Sequence, residues 1–139
     1  MPINTNSINH IRLTVTNIER SRAFYEGIFA WPVAMEIPAD TPSKDQARYA
    51  FLYGGVIYDL GQSLLGLRPV STDGFDENRT GLDHLSLAVT SHADLDAAIE
   101  LLDGFGIGHG GIKDIGSGFI LEFRDPDNIA LELFAPKAP

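Results

Sequence analysis

Apolar and polar positions alternate over residues 8–16, placing Ile11, Leu13 and Val15 on one face of an extended strand and His10, Arg12 and Thr14 on the other. The alternation returns 74 positions later. Ile8-Asn9-His10-Ile11-Arg12-Leu13-Thr14-Val15-Thr16 is echoed by Leu82-Asp83-His84-Leu85-Ser86-Leu87-Ala88-Val89-Thr90. Each strand runs into a segment of helical spacing. In the first, Thr16 or Asn17 is placed to cap a helix over about 18–29 in which Ile18, Ser21, Arg22, Phe24, Tyr25, Ile28 and Phe29 give a mostly helical spacing, and Trp31-Pro32 ends it. In the second, Leu95, Ala98, Ile99 and Leu102 form the stripe of a helix over about 93–103. Strands are predicted at 33–37, 48–53, 56–60 and 64–69, with an exposed loop over 38–43 that carries two prolines and a Gly54-Gly55 turn. After a glycine-rich passage around Gly104, Gly106 and Gly108-His109-Gly110-Gly111, residues 119–124 and 129–134 read as a hairpin closed by Asp125-Pro126-Asp127-Asn128. A repeat within one short chain predicts two copies of one small unit: module one over about 7–69, a polar linker over 70–80, and module two over about 81–135.

The 139 residues are expected to form a single domain built from these two copies, and a hydrophobic content of 44% with 21% charged residues is ordinary for a globular chain. With 10 Lys and Arg against 19 Asp and Glu, the formal charge of −9 argues against nucleic acid or an anionic membrane as a partner. A small-molecule substrate is compatible with it. The sequence has neither an apolar run long enough to span a bilayer nor a basic-then-apolar leader, so a cytoplasmic location is expected. Zero cysteines restrict any metal site to His, Asp and Glu. The glycine pairs read as turns, because no Gly-Lys-Ser or Gly-Lys-Thr follows them to make a phosphate loop.

Chemistry concentrates on the polar faces. His10 and His84 occupy the same place in the two copies, so repeat symmetry can bring two imidazoles to one site. Arg12 shares the face of His10, and its planar donor fork suits an anionic substrate group; the plain alternative is an exposed or internally paired arginine. Thr14 and Ser86 hold matching positions from which a hydroxyl can orient substrate. Glu132 lies opposite Leu131 and Leu133 in the last strand, and Glu122 is a candidate base if it shares that face. His109, among glycines, is a candidate general acid or base, whereas His92 at a helix start is expected at the surface.

Ile8-Asn9-His10-Ile11 with Ser21-Arg22-Ala23-Phe24-Tyr25, Leu82-Asp83-His84-Leu85, and Phe123-Arg124-Asp125-Pro126-Asp127-Asn128 leading into Leu131-Glu132-Leu133-Phe134 together resemble the vicinal oxygen chelate superfamily of glyoxalases, bleomycin- and fosfomycin-resistance proteins and extradiol dioxygenases. The resemblance spans nearly the whole chain. It implies an α+β fold, two βαβββ modules in tandem (glyoxalase/dioxygenase-like) whose curved mixed sheet encloses a cleft, and a homodimer. It also implies metal ligands at His10, His84 and Glu132, with Gly66 where glyoxalase I and methylmalonyl-CoA epimerase carry a fourth ligand. Three protein ligands leave coordination positions open, which suits Fe(II) or Mn(II), with Zn(II) or Ni(II) as alternatives. The expected function is that of a small metal-dependent lyase, isomerase or extradiol-type dioxygenase acting on a small oxygen-rich or aromatic substrate. Glu132, His109 and Glu122 are its expected catalytic residues, and Arg12, Thr14 and Ser86 its substrate contacts. Each named activity departs somewhere from this sequence: the isomerases' base is absent at Gly66, the dioxygenases' tyrosine ten residues before the ligand Glu is Glu122 here, and the fosfomycin group's basic and tyrosine-rich substrate residues are not evident. The alternative is a metal-free drug- or metabolite-binding protein like those of bleomycin resistance.

Overall fold

The computed structural model describes residues 1–138. The chain divides into two compact units, Met1–Thr72 and a second beginning at Asp73. The first runs β1 (His10–Thr14), α1 (Ile18–Ile28), β2 (Val33–Met35), a 3-10 helix (Ser43–Leu52), β3 (Val56–Asp59) and β4 (Leu64–Arg68). The second runs β5 (Leu85–Ala88), α2 (His92–Gly104), β6 (His109–Asp114), β7 (Gly118–Arg124) and β8 (Ala130–Pro136). Both units are βαβββ, and the α+β fold expected from the sequence is present as two four-stranded mixed sheets, ordered β1-β4-β3-β2 and β5-β8-β7-β6. None of the helices is long and apolar enough to cross a membrane among the described residues.

In each unit the first strand pairs in parallel with the last, and the remaining pairs are antiparallel. Alternation then separates two faces. Leu13, Val15, Val56, Tyr58, Leu65 and Leu67 are buried in the first unit beside Tyr25 of α1, and Leu121, Phe123, Leu131 and Leu133 in the second beside Leu95 and Leu102 of α2. Burying one leucine side chain contributes about 1.5–3 kcal/mol. A one-residue slip of β4 or β8 would expose two at once, so the register, and with it the set of residues on the opposite face, is strongly specified.

The helix starts follow local chemistry. Asn17 caps α1 by accepting the Arg20 N–H at 2.9 Å, while Asp94 folds back to accept the Ser91 N–H at 3.0 Å at the start of α2. The Asp125-Pro126-Asp127-Asn128 turn closes as expected: Asp125 Oδ1 accepts the Asp127 and Ile129 N–H groups, both at 2.8 Å, which satisfies a carboxylate that is only 5% exposed.

Two expectations need correction. Residues 48–53 are not a strand. Residues 48–52 end the 3-10 helix Ser43–Leu52 and Tyr53 follows it in the left-handed region, because β3 already has β2 and β4 as neighbours and the segment buries only Leu52. The strand expected over 82–89 is also shorter, Leu85–Ala88, leaving His84 just before its first residue.

A polar cluster ties α1 to its sheet. The buried Tyr58 hydroxyl donates to Glu26 Oε2 at 2.8 Å, and Arg22 bridges Glu26 and Glu36, each at 2.6 Å. The Arg22 hydrogen bond holds the Glu26 carboxyl below the usual carboxylate range, with the Tyr58 bond adding to it and partial burial opposing it. A depressed folded-state pKa contributes stability that is present above the unfolded value and is lost as pH falls through the folded one. Glu26→Gln should therefore cost about 1 kcal/mol in urea denaturation at neutral pH, a modest figure because the pair is partly solvated. The gap from wild type should close as the pH drops below about 4; a gap independent of pH would mean the carboxylate charge contributes nothing.

Candidate metal and substrate site

In the second unit, β5 lies beside β8 with Ser86 opposite Glu132 and Leu85 opposite Leu131. The leucines are buried, so Ser86 and Glu132 emerge together on the open face. Ser86 Oγ donates to Glu132 Oε1 at 2.8 Å, and His84 Nε2 stands 3.7 Å from Oε2 of the same carboxylate. Glu132 is the sheltered member, its side chain 14% exposed against 46% for His84. His84 Nδ1 lies 2.6 Å from Asp83 Oδ1. A carboxylate can only accept, so Nδ1 carries the proton and Nε2 is the atom turned toward Glu132. The Asp83 hydrogen bond raises the His84 pKa, partial burial opposes it, and the charges of Glu132, Asp83 and Glu122 add to the rise. Glu122 is opposite Glu132 across β7 and β8, shares the open face, and reaches Lys113 Nζ at 3.3 Å.

The first unit repeats part of this arrangement. His10 is exposed, with Nδ1 2.7 Å from Asn9 Oδ1, so its Nε2 is also free of the neighbouring side chain. The register places Arg12 opposite Gly66, the position that corresponds to Ser86 opposite Glu132. Arg12 lies against that glycine: a Cβ added at Gly66 would stand 3.0 Å from Arg12 Cγ and 3.5 Å from Nε. One Arg12 nitrogen, Nη2, donates to the Phe51 carbonyl at 2.9 Å, while Nε is buried without a partner. Thr14 is exposed on the same face.

The remaining candidates are held elsewhere. His109 Nε2 meets Asp103 Oδ1 at 2.9 Å, and its Nδ1 accepts the Gly111 N–H at 3.1 Å, so both ring nitrogens are engaged. It lines a cavity of about 460 Å³ with Glu122, Phe123 and Arg124. Arg124 is itself tied to Glu77 at 2.8 Å and draws that exposed carboxyl down to about 2. His92 opens α2 at the surface, 3.2 Å from Asp96.

His84, Ser86, Glu132 and Glu122 thus share one face of the second unit, and His10, Arg12 and Thr14 one face of the first. A neutral imidazole and a carboxylate 3.7 Å apart are donors of the right kind for a divalent ion, whose neighbouring ligands stand about 3–3.5 Å apart at bond lengths near 2.1 Å. No three His, Asp or Glu side chains are grouped closely enough to hold a metal ion among the described residues. Asn9 and Asp83 are the residues whose roles the sequence reading missed. The repeat carried their signal, an amide or carboxylate immediately before each histidine.

Two βαβββ modules of this topology make the glyoxalase-like fold. The chain belongs to the Glyoxalase/Bleomycin resistance protein/Dioxygenase superfamily, whose sequence pattern matches residues 7–133. It is 32% identical to a glyoxylase/bleomycin resistance protein/dioxygenase domain from Frankia sp. EAN1pec, covering 96% of this chain and 100% of that one with a TM-score of 0.77. At 16% identity, a lactoylglutathione lyase from Agrobacterium tumefaciens shares the fold over 94% of each chain, TM-score 0.69. At 18% identity, so does a mutant of the fosfomycin resistance protein FosX from Listeria monocytogenes, complexed with Mn(II) and 1S,2S-dihydroxypropylphosphonic acid, over 96% of this chain and 95% of that one, TM-score 0.73. No curated protein sequence matches significantly.

The hydrogen bonds fix the imidazole tautomers, which long-range proton–nitrogen NMR of metal-free protein at alkaline pH can read. His10 and His84 should appear as Nδ1–H rings and His109 as an Nε2–H ring. An Nε2–H form at His84 would remove the lone pair aimed at Glu132.

Proposed function

We propose that this protein is a divalent-metal-dependent enzyme of the glyoxalase/dioxygenase type acting on a small oxygen-rich or aromatic substrate, with His10, His84 and Glu132 as metal ligands in a homodimer. The observation that carries this reading is the pair His84 and Glu132, 3.7 Å apart, with His84 oriented by Asp83 and its counterpart His10 oriented by Asn9. An imidazole whose far nitrogen donates to a carboxylate or amide oxygen is the usual arrangement of a metal-bound histidine. When bound, a divalent ion with open positions, Fe(II) or Mn(II) before Zn(II) or Ni(II), supplies Lewis-acid polarisation of a chelated substrate oxygen.

The chain's own residues do the rest. Ser86 pins one Glu132 oxygen and leaves the other toward His84. Glu122, half exposed on the same face and 3.3 Å from Lys113 Nζ, is placed to take or return a substrate proton. His109 lines the adjoining cavity, where its bond to Asp103 makes it a support for the wall before it is a proton donor. Thr14 and Arg12 on the first unit's open face, with Ser86 on the second, orient the substrate. One observation favours the metal-free binding reading instead: Arg12 places a permanent cation in the first unit where a carboxylate ligand would stand opposite it.

Metal titration of stripped protein with Fe(II), Mn(II), Zn(II) and Ni(II) separates the two. His10→Ala, His84→Ala and Glu132→Ala should each weaken binding by more than the roughly 10–100-fold that loss of an orienting partner costs, and Asp83→Ala should fall within that range. His92→Ala should change nothing. Equal affinity across the series would leave a metal-free binding protein as the better account.

A further inference from the structure

We propose that the open face of the first unit is an oxyanion-recognition surface in which Arg12 and Arg68 read the carboxylate or phosphonate head of an aromatic substrate. The two arginines are diagonal neighbours on the parallel pair β1 and β4, since Arg12 is opposite Gly66 and Thr14 opposite Arg68. Both point away from the core, because they alternate with the buried Leu13, Leu65 and Leu67. Neither forms an ion pair with a carboxylate among the described residues. Arg12 instead donates to a neutral carbonyl, Phe51 O, at 2.9 Å, and the Arg68 guanidinium lies 4.1 Å from the centre of the Tyr53 ring. Asp59, the acid that the strands place on this face, pairs across from Leu64 at the other end of β4 and accepts the Gly61 N–H at 2.7 Å.

In a chain with 19 acidic residues and 10 basic ones, two uncompensated guanidinium groups side by side repel one another. Each is nevertheless held in place by contacts that leave charge unneutralised. The contact with the Tyr53 ring holds the Arg68 guanidinium without supplying a counter-charge, which leaves that charge to an oxyanion. Gly66 does the equivalent for Arg12: without a Cβ, the arginine stem can lie on the strand. The aromatic character of the ligand follows from Phe51 and Tyr53, which stay 46% and 53% exposed beside the two cations.

This deepens the substrate side of the function proposed above and rests on it only in assigning this face to substrate; the recognition itself needs no metal. The test accordingly uses metal-stripped full-length protein, titrated calorimetrically with benzoate, phenylphosphonate and the neutral isostere benzamide. One or both oxyanions should bind at least about tenfold more tightly than benzamide, the tighter of the two identifying the head group, and the preference should weaken with added salt. Arg12→Gln and Arg68→Gln should each cost about tenfold or more for the oxyanion and leave benzamide unchanged. Gly66→Glu, which sets a carboxylate against Arg12, should abolish the preference even if a glutamine variant folds poorly. His92→Ala, at the surface start of α2, should bind benzoate as wild type does. Equal binding of benzamide and the oxyanions, no oxyanion binding, or oxyanion affinity unchanged in both arginine variants would overturn the proposal. Failure of the metal titration alone would leave it intact.

Discussion

The parallel pairing of the first and last strands in each unit is the constraint on which the rest depends. Because side chains alternate, the leucines that must go under the helix decide which residues cannot. Leu131 and Leu133 under α2 oblige Glu132 to face outward, and Leu85 does the same for Ser86. The 2.8 Å hydrogen bond between those two polar side chains is then a consequence of register and needs no loop to place it. Positions set by a packed sheet are also more rigid than positions on loops, which is what a set of ligands or substrate contacts requires.

The two units use one frame for opposite electrostatics. Where the second carries Ser86 opposite Glu132, the first carries Arg12 opposite Gly66. Neither replacement works alone. A glutamate at position 66 would pair with Arg12 and neutralise it, and a larger residue would press on the arginine stem, which is already within 3.0 Å of where a Cβ would be. The glycine and arginine are therefore best understood together, as a cationic answer to the carboxylate of the other unit.

Most of the frame was legible in the sequence, and the reasons are local. The repeat of alternating strand, cap and helix needed only periodicity, and the Asp125-Pro126-Asp127-Asn128 turn needed only the preference of proline and Asx residues for turns. Arg48–Tyr53 misled because Tyr49, Phe51 and Tyr53 alternate as a strand would. What decides against a strand is that β3, the strand it would meet through the Gly54-Gly55 turn, is already paired on both sides, and that is a property of the sheet. The candidate site divides the same way. His10, His84, Ser86 and Glu132 followed from position in strands, whereas the burial of Arg12 Nε and the attachment of His109 to Asp103 depend on side-chain conformations that spacing does not encode.

The raised pKa of His84 connects site geometry to the proposed chemistry. The carboxylates responsible, Asp83 through its hydrogen bond and Glu132 and Glu122 through their charge, favour positive charge on or near the ring whatever its source. They stabilise a proton on Nε2, and by the same field they would stabilise a divalent cation in that proton's place, so the two compete for one lone pair. A dication interacts with each carboxylate about twice as strongly as a proton's single charge at equal distance, and the balance therefore tips toward metal as the pH rises and the ring loses its proton. At the position of the first unit that corresponds to Ser86, opposite Gly66, the charge is instead the guanidinium of Arg12, which does not deprotonate. One face thus carries an imidazole beside carboxylates and the other a permanent positive charge. That difference comes from residues 12 and 66 against 86 and 132 on otherwise equivalent strands.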